Sequence, residues 1–301
     1  MHFKNLVEDL SGTPAFRIVP FHDYNPVSGQ SKVRMLGKPN GSMRTVHARF
    51  IGYLRRTLGR LPNATCYRRG DSAVKNVWRH HGNRHFYLLD VRNAYGTVDL
   101  ERLSQLLFNR DMPFWDYRVE NAQQFLKRYC GADEQVSLPG LVVGAPASPV
   151  LFNIYAGILL DESLASLCAK HDITYTRYID DLTFSSRKKI GLRVRRQIRE
   201  RIIMAGFTIH DRKARLVDLR KHGSVVVTGV GLNARSELFV PRTYVRLLRG
   251  FIHRALTDGT ISNAMVEGRM GVFRAITRGR KLNQTESKLV ALYQQWRQHA
   301  A

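Results

Sequence analysis

Short strand-like apolar stretches alternate with helical spacing along this chain as far as about residue 240, after which the strands stop and only helical spacing continues. Phe86-Tyr87-Leu88-Leu89 predicts a buried strand ending at Asp90, and Thr97–Glu101 predicts the start of a helix. Residues 174–179 and 182–186 are rich in Thr, Tyr, Ile, Leu and Phe, which suit a pleated, half-buried surface. Asp180 and Asp181 fall where those two runs meet, so a hairpin turn is expected there. The turn-rich Gly144–Pro149 precedes the apolar run Val150–Tyr155, with Ser148 expected as N-cap and Pro149 as the first helical residue. Ile190, Val194, Ile198 and Ile202 recur every fourth residue before Gly206, the pattern of an amphipathic helix and its stop. Asn40-Gly41 predicts a short hairpin, with a basic helix near residues 48–59, while residues 1–32 read as mixed and loop-rich. From Pro241 onward three helices are expected, at about 242–257, 262–277 and 284–299.

Charge narrows the partners. The 301 residues carry 48 Lys and Arg against 24 Asp and Glu, a formal charge of +24. Solubility needs far less. Such an excess fits a polyanion, because neutralised phosphates release counterions and supply sequence-independent affinity. Nucleic acid is the favoured partner. Cys66, Cys130 and Cys168 are odd in number, widely spaced and without CxxC pairs, so they read as free thiols in a reducing compartment. The N-terminus lacks the apolar core of a signal peptide, and the longest apolar run, 150–160, is interrupted by Asn153 and ended by Asp161, short of a membrane span. The expectation is a soluble cytoplasmic protein without a membrane partner.

Candidate chemistry lies with three carboxylates. Tyr178-Ile179-Asp180-Asp181 places two acids at a hairpin tip, where they repel each other unless a cation is present. Alone, that pair reads equally well as a solvated turn. Asp90, at the end of a separate buried strand, changes the weighting. Magnesium takes oxygen ligands, commonly one or two carboxylates plus substrate phosphates, and a two-metal site draws its carboxylates from separate elements. Phosphoryl or nucleotidyl transfer suits such a set.

The order of these pieces carries a family resemblance. LLDVRNAY, VGAPASPVLFN and YTRYIDDLTFS resemble, in that order, the A, B and C motifs of the reverse-transcriptase palm. Gly206-Phe207-Thr208 with Lys213 is similar to motif D, Val227-Thr228-Gly229 to the primer-grip region, and Lys38–Arg44 to the fingers loop. Asn76-Val77-Trp78-Arg79-His80 resembles the Asn-Ala-x-x-His box of retron-like bacterial enzymes, and Val227-Thr228-Gly229 their second signature. The likeness runs from about residue 33 to about residue 256.

That resemblance implies an α+β right-hand polymerase. An N-terminal segment and fingers would span 1–88. A palm of antiparallel sheet backed by helices would span 89–240, with finger elements at about 104–145 and a primer grip near 225–233. A helical thumb would span 241–301. It implies two Mg²⁺ ions on Asp90 and Asp180 with Asp181 beside them, Lys213 as general acid, and Lys38, Arg44, Tyr95 and Gly144 at the incoming dNTP, Tyr95 as steric gate. Asn76, His80, Val227, Thr228, Gly229, Arg246 and Arg249 would meet RNA or primer. The implied activity copies a structured non-coding RNA into DNA that stays joined to it, in anti-phage defence with an effector protein. Two departures stand out: Val143 replaces the usual Gln, and Gly96 a second aromatic after the gate. The other readings are a bacterial defence polymerase making untemplated or protein-primed DNA, and an inactive basic RNA-binding module, against which the intact carboxylates count.

Overall fold

The computed structural model describes residues 3–24, 31–57, 70–109, 119–132, 140–257 and 261–300. The short helix α1 (Phe3–Val7) precedes strands β1 (Phe16–Tyr24) and β2 (Ser31–Pro39), which pair antiparallel from Phe16 opposite Pro39 to Tyr24 opposite Ser31. This hairpin corrects two expectations. Residues 16–24, expected as loop, are a strand, and Asn40-Gly41 opens a helix, α2 (Gly41–Thr57), rather than turning a hairpin. Asn40 Oδ1 accepts from the Met43 amide at 2.8 Å, the bond of an N-cap. The ribbon gave little sequence signal because Phe21, Val33 and Met35 stand exposed on it, so no face alternates cleanly.

Next come α3 (Ala73–Trp78), β3 (His85–Asp90), α4 (Leu100–Asn109), α5 (Val119–Tyr129), α6 (Ser148–Ala156) and α7 (Glu162–Lys170). Asp99 Oδ1 caps α4 by accepting from the amides of Glu101 and Arg102. Ser148 does not cap α6 with its side chain; its hydroxyl donates to the Val142 carbonyl at 2.6 Å and folds the preceding loop back on itself. A π-helical segment, Gly157–Asp161, joins α6 to α7. The resulting stretch Ser148–Lys170 is 23 residues long and apolar enough, by length and composition, to cross a membrane. Here it is a core helix: Leu151, Phe152, Ile154, Leu160 and Leu164 are buried against the sheet.

That sheet has the order β4-β5-β3-β6, with β4 (Thr174–Tyr178), β5 (Asp181–Ser186) and β6 (Arg215–Asp218), all antiparallel to their neighbours. Strand alternation divides its residues between two cores. Tyr87, Leu89, Tyr175, Leu182 and Phe184 face α6, α7 and α8 (Leu192–Met204), whose Ile198 and Ile202 are fully buried. Phe86 and Leu88 face the other way, into a second cluster. That cluster is built from α3, α9 (Leu219–His222), a three-stranded sheet of β7 (Ser224–Val227), β8 (Val230–Asn233) and β9 (Leu238–Phe239), and the helices α10 (Arg242–Thr257), α11 (Asn263–Thr277) and α12 (Gln284–Ala300). The three C-terminal helices fall where the periodicity predicts them. A reciprocal capping box opens α12: Asn283 Oδ1 accepts from the Glu286 amide and Glu286 Oε2 from the Asn283 amide, both at 3.0 Å.

Candidate active site

Asp90 ends β3 and Asp181 begins β5, and the two are direct cross-strand partners. Asp180 sits in the turn before Asp181, its carbonyl accepting from the Val91 amide at 3.0 Å. Three carboxylates therefore gather at one end of the sheet. Like charges directly opposite are destabilising. Burial, reinforced by the charges of Asp180 and Asp90, pushes the Asp181 carboxyl up to about 7. Burial also raises Asp180, with Asp90 adding to it and Lys213 and Arg34 opposing it. Lys213, in a short 3₁₀ turn, puts its ammonium on Asp90 Oδ1. The site thus draws in a cation of its own.

This donor set suits a hard divalent ion. Among the described residues no group of three His, Cys, Asp or Glu closes on an ion by itself. Magnesium does not need such a cage, since it keeps water and takes one or two carboxylates plus substrate phosphates. The carboxylates come from adjacent strands, their charge is under-neutralised, and a lysine ammonium occupies one of them.

The loop before α6 lies against β2. The Gly37 amide donates to the Val143 carbonyl at 2.8 Å, and a Cβ on Gly37 would stand 2.2 Å from Val142 Cγ1. Val143 thus meets β2 through its backbone. Gly144 is exposed, with φ +93°, and a Cβ there would lie 3.3 Å from that of Leu36. Buried His47 ties α2 to the same loop, accepting from the Ala147 amide at Nδ1 while Nε2–H donates to the Tyr129 carbonyl. Tyr95 is half-buried, its ring edge-on to Phe152 at 5.8 Å. Gly96 follows it, and a Cβ there would stand 2.3 Å from Nδ2 of the exposed Asn93, so a second aromatic would require the Asn93 side chain to move.

Lys38 and Arg44 are exposed, at the end of β2 and in the first turn of α2. Sequence reasoning missed Arg34. By strand alternation it shares a face of β2 with Leu36 and Lys38, and its charge is felt at Asp180. The available signal was the spacing of Arg34, four residues before Lys38 and so on the same face of a strand. Arg246 and Arg249 are exposed on α10, and Arg249 lines a cleft of about 550 Å³ with Gly250, His253, Arg254 and Leu292.

Asn76 and His80 require a correction. Both have no exposed surface. Asn76 Nδ2 donates to Thr228 Oγ1 at 3.2 Å. The His80 ring lies between Ser185 Oγ (Nδ1, 2.6 Å) and Thr176 Oγ1 (Nε2, 2.8 Å). Val227 is buried as well. Direct RNA contact through these three side chains is not available in this structure. They join the β7–β8 turn and the sheet, while Thr228 (φ +46°) and exposed Gly229 (φ +81°) form the turn tip. The two sequence signatures are one structural unit.

A pH effect follows. Burial, with Arg79 nearby, lowers His80 to about 3, so the folded protein holds it neutral. The unfolded chain takes up a proton near pH 6.5, so this contribution is complete above that value. It is lost as pH falls toward 3, at about 1.4 kcal/mol per pH unit. His80→Gln is expected to be less stable at pH 7.5, with a flatter pH dependence between 6.5 and 4 in chemical denaturation. Parallel profiles for variant and wild type would remove the argument.

The family profile described as reverse transcriptase (RNA-dependent DNA polymerase) matches residues 24–232. The retron Ec83 reverse transcriptase of Escherichia coli is 26% identical over 244 residues, 79% of this chain and 76% of that protein. The retron Mx65 reverse transcriptase of Myxococcus xanthus is 30% identical over 234 residues, 74% of this chain and 53% of that protein. Among solved structures, telomerase from Candida albicans, in complex with a fragment of telomeric RNA, superposes with a TM-score of 0.50 at 12% identity, covering 98% of this chain and 56% of that one. Apo telomerase from Candida tropicalis gives 0.51 at 8% identity, covering 96% and 62%. These two likenesses concern the fold, and the chain spans little more than half the length of each telomerase.

Proposed function

The chain belongs to the reverse transcriptase family, the RNA-dependent DNA polymerases, and from that premise we propose that it copies a structured non-coding RNA into DNA that stays joined to the RNA. One observation carries the proposal: Asp90, Asp180 and Asp181, each within a motif of the family's order, gather at one end of one sheet. The similarity to retron enzymes supports the RNA-linked product, and with it a role in anti-phage defence beside an effector protein. In this reading residues 1–88 serve as N-terminal segment and fingers, 89–240 as palm and 241–301 as thumb. The buried free thiols of Cys130 and Cys168 suit a cytoplasmic setting.

Reverse transcriptases use divalent metal ions, and in this proposal Asp90 and Asp180 would hold two Mg²⁺, with Asp181 as a supporting carboxylate. When bound, the ions supply charge neutralisation at the triphosphate and acidify the primer hydroxyl. The chain's own groups do the rest. Lys38 and Arg44, joined by Arg34, offer a point charge and two bidentate forks to the triphosphate. Lys213 donates a proton to the departing pyrophosphate. Tyr95 fills the space that a ribose 2′-hydroxyl would take, while Gly144 lets the backbone approach the nucleotide. The exposed tip at Thr228-Gly229, with Arg246 and Arg249 on α10, faces RNA and primer.

Sequencing the nucleic acid that co-purifies with the protein tests the proposal. The expected result is one predominant structured RNA carrying a covalently attached DNA complementary to part of it. DNA without a complementary stretch in the RNA would favour the untemplated or protein-primed alternative, and RNA with no DNA attached would favour an RNA-binding module.

A further inference from the structure

Ile179, just before the two turn carboxylates, has φ +58°. A β-branched residue in the left-handed region is strained and persists only where the surroundings impose it. Its carbonyl accepts from Arg177 Nη1 at 3.1 Å.

Arg177 is fully buried. Its Nε and Nη2 fork onto Asp161 Oδ1 and Oδ2 at 2.8 and 2.7 Å. Nη1 also donates to Asn153 Oδ1 at 2.8 Å, and Nη2 to the Asn153 carbonyl at 3.2 Å. The Tyr175 hydroxyl donates to Asp161 Oδ1 at 2.7 Å. In a regular α-helix, residues roughly seven apart share a face. Asn153 and Asp161 are separated by one residue more, and the π segment Gly157–Asp161 absorbs that residue, so both reach the same guanidinium.

A buried ion pair is a poor way to stabilise a core, since apolar side chains of similar volume often do as well or better. Apolar side chains could not bond the carbonyl of a strained turn. We propose that Arg177, clamped by Asp161 and Asn153, is a positioning residue that holds the Ile179 carbonyl and so presents Asp180 and Asp181 in metal-binding geometry. This rests on the metal-holding reading of those carboxylates given above.

The test uses Arg177→Lys, which keeps the charge but cannot reproduce the fork, and the near-isosteric Asp161→Asn, which weakens the clamp if the first variant folds poorly. Half-saturating Mg²⁺ is measured for DNA synthesis on a primed RNA template, per folded molecule, together with template KM and melting temperature. A parallel Mn²⁺ titration of the protein–RNA complex reads free ion by its EPR signal. Expected is a rise of at least about fivefold in half-saturating Mg²⁺, most of the rate regained at excess Mg²⁺, template KM within about twofold, and Mn²⁺ binding weakened in proportion. A purely structural role predicts less folded protein with wild-type half-saturation and Mn²⁺ binding, and that result in both variants overturns the inference. If instead wild-type protein makes no DNA, or Asp180→Asn retains full rate, the metal-holding reading itself is at fault.

Discussion

Asp180→Asn and Asp90→Asn each lower DNA synthesis by at least about 10³-fold, on the order of 4 kcal/mol of transition-state stabilisation. Each change removes a negative charge from a site where three carboxylates share one sheet end, while keeping side-chain shape. Folding is not expected to suffer, since Asp90 lies opposite Asp181 and Asp180 sits beside both in the turn, so removing either charge relieves like-charge repulsion. Loss of rate with an unchanged or raised melting temperature is the signature to look for. Single-turnover incorporation of one dNTP on a primed RNA measures it, and a near-wild-type rate for either variant would remove those carboxylates from the chemistry.

Lys213→Met lowers the single-turnover rate by about 10²-fold or more, within the range of general-acid catalysis. Lys213→Arg, which keeps the charge and gives up ready proton donation, stays low. The ammonium bonds Asp90 Oδ1 but is 57% exposed, so loss of the ion pair should change stability by less than about 1 kcal/mol. Rate and stability therefore separate. Single-turnover incorporation, beside thermal melting, checks this. A variant with wild-type rate would reduce Lys213 to a counter-ion for Asp90.

What the sequence revealed follows burial. The strand ending at Asp90, buried on both faces, was legible as a continuous apolar run, the hairpin carrying Asp180 and Asp181 by its strand-forming residues, and the three C-terminal helices by the helical spacing of their buried faces. The β1–β2 ribbon was not, since its exposed Phe21, Val33 and Met35 blur any alternation. Arg34 was missed with it. Asn40-Gly41 has hairpin composition, yet the Asn side chain bonds forward to Met43 and starts a helix. Asn76 and His80 were recognised, but only contacts far along the chain, with Thr228, Thr176 and Ser185, show them as buried struts. Asn153 and Asp161 were visible as polar breaks in an apolar run. Their meaning needed Arg177 in a strand and a π segment that no composition announces.

The central claim is RNA-templated DNA synthesis at the Asp90–Asp180–Asp181 site. Its most direct test supplies purified protein with a primed RNA template of known sequence, the four dNTPs and Mg²⁺, and then sequences the product. The account predicts DNA complementary to the template, dependent on Mg²⁺ and absent with Asp180→Asn. Products unrelated to the template, or complementary DNA made equally well by Asp180→Asn, would contradict it.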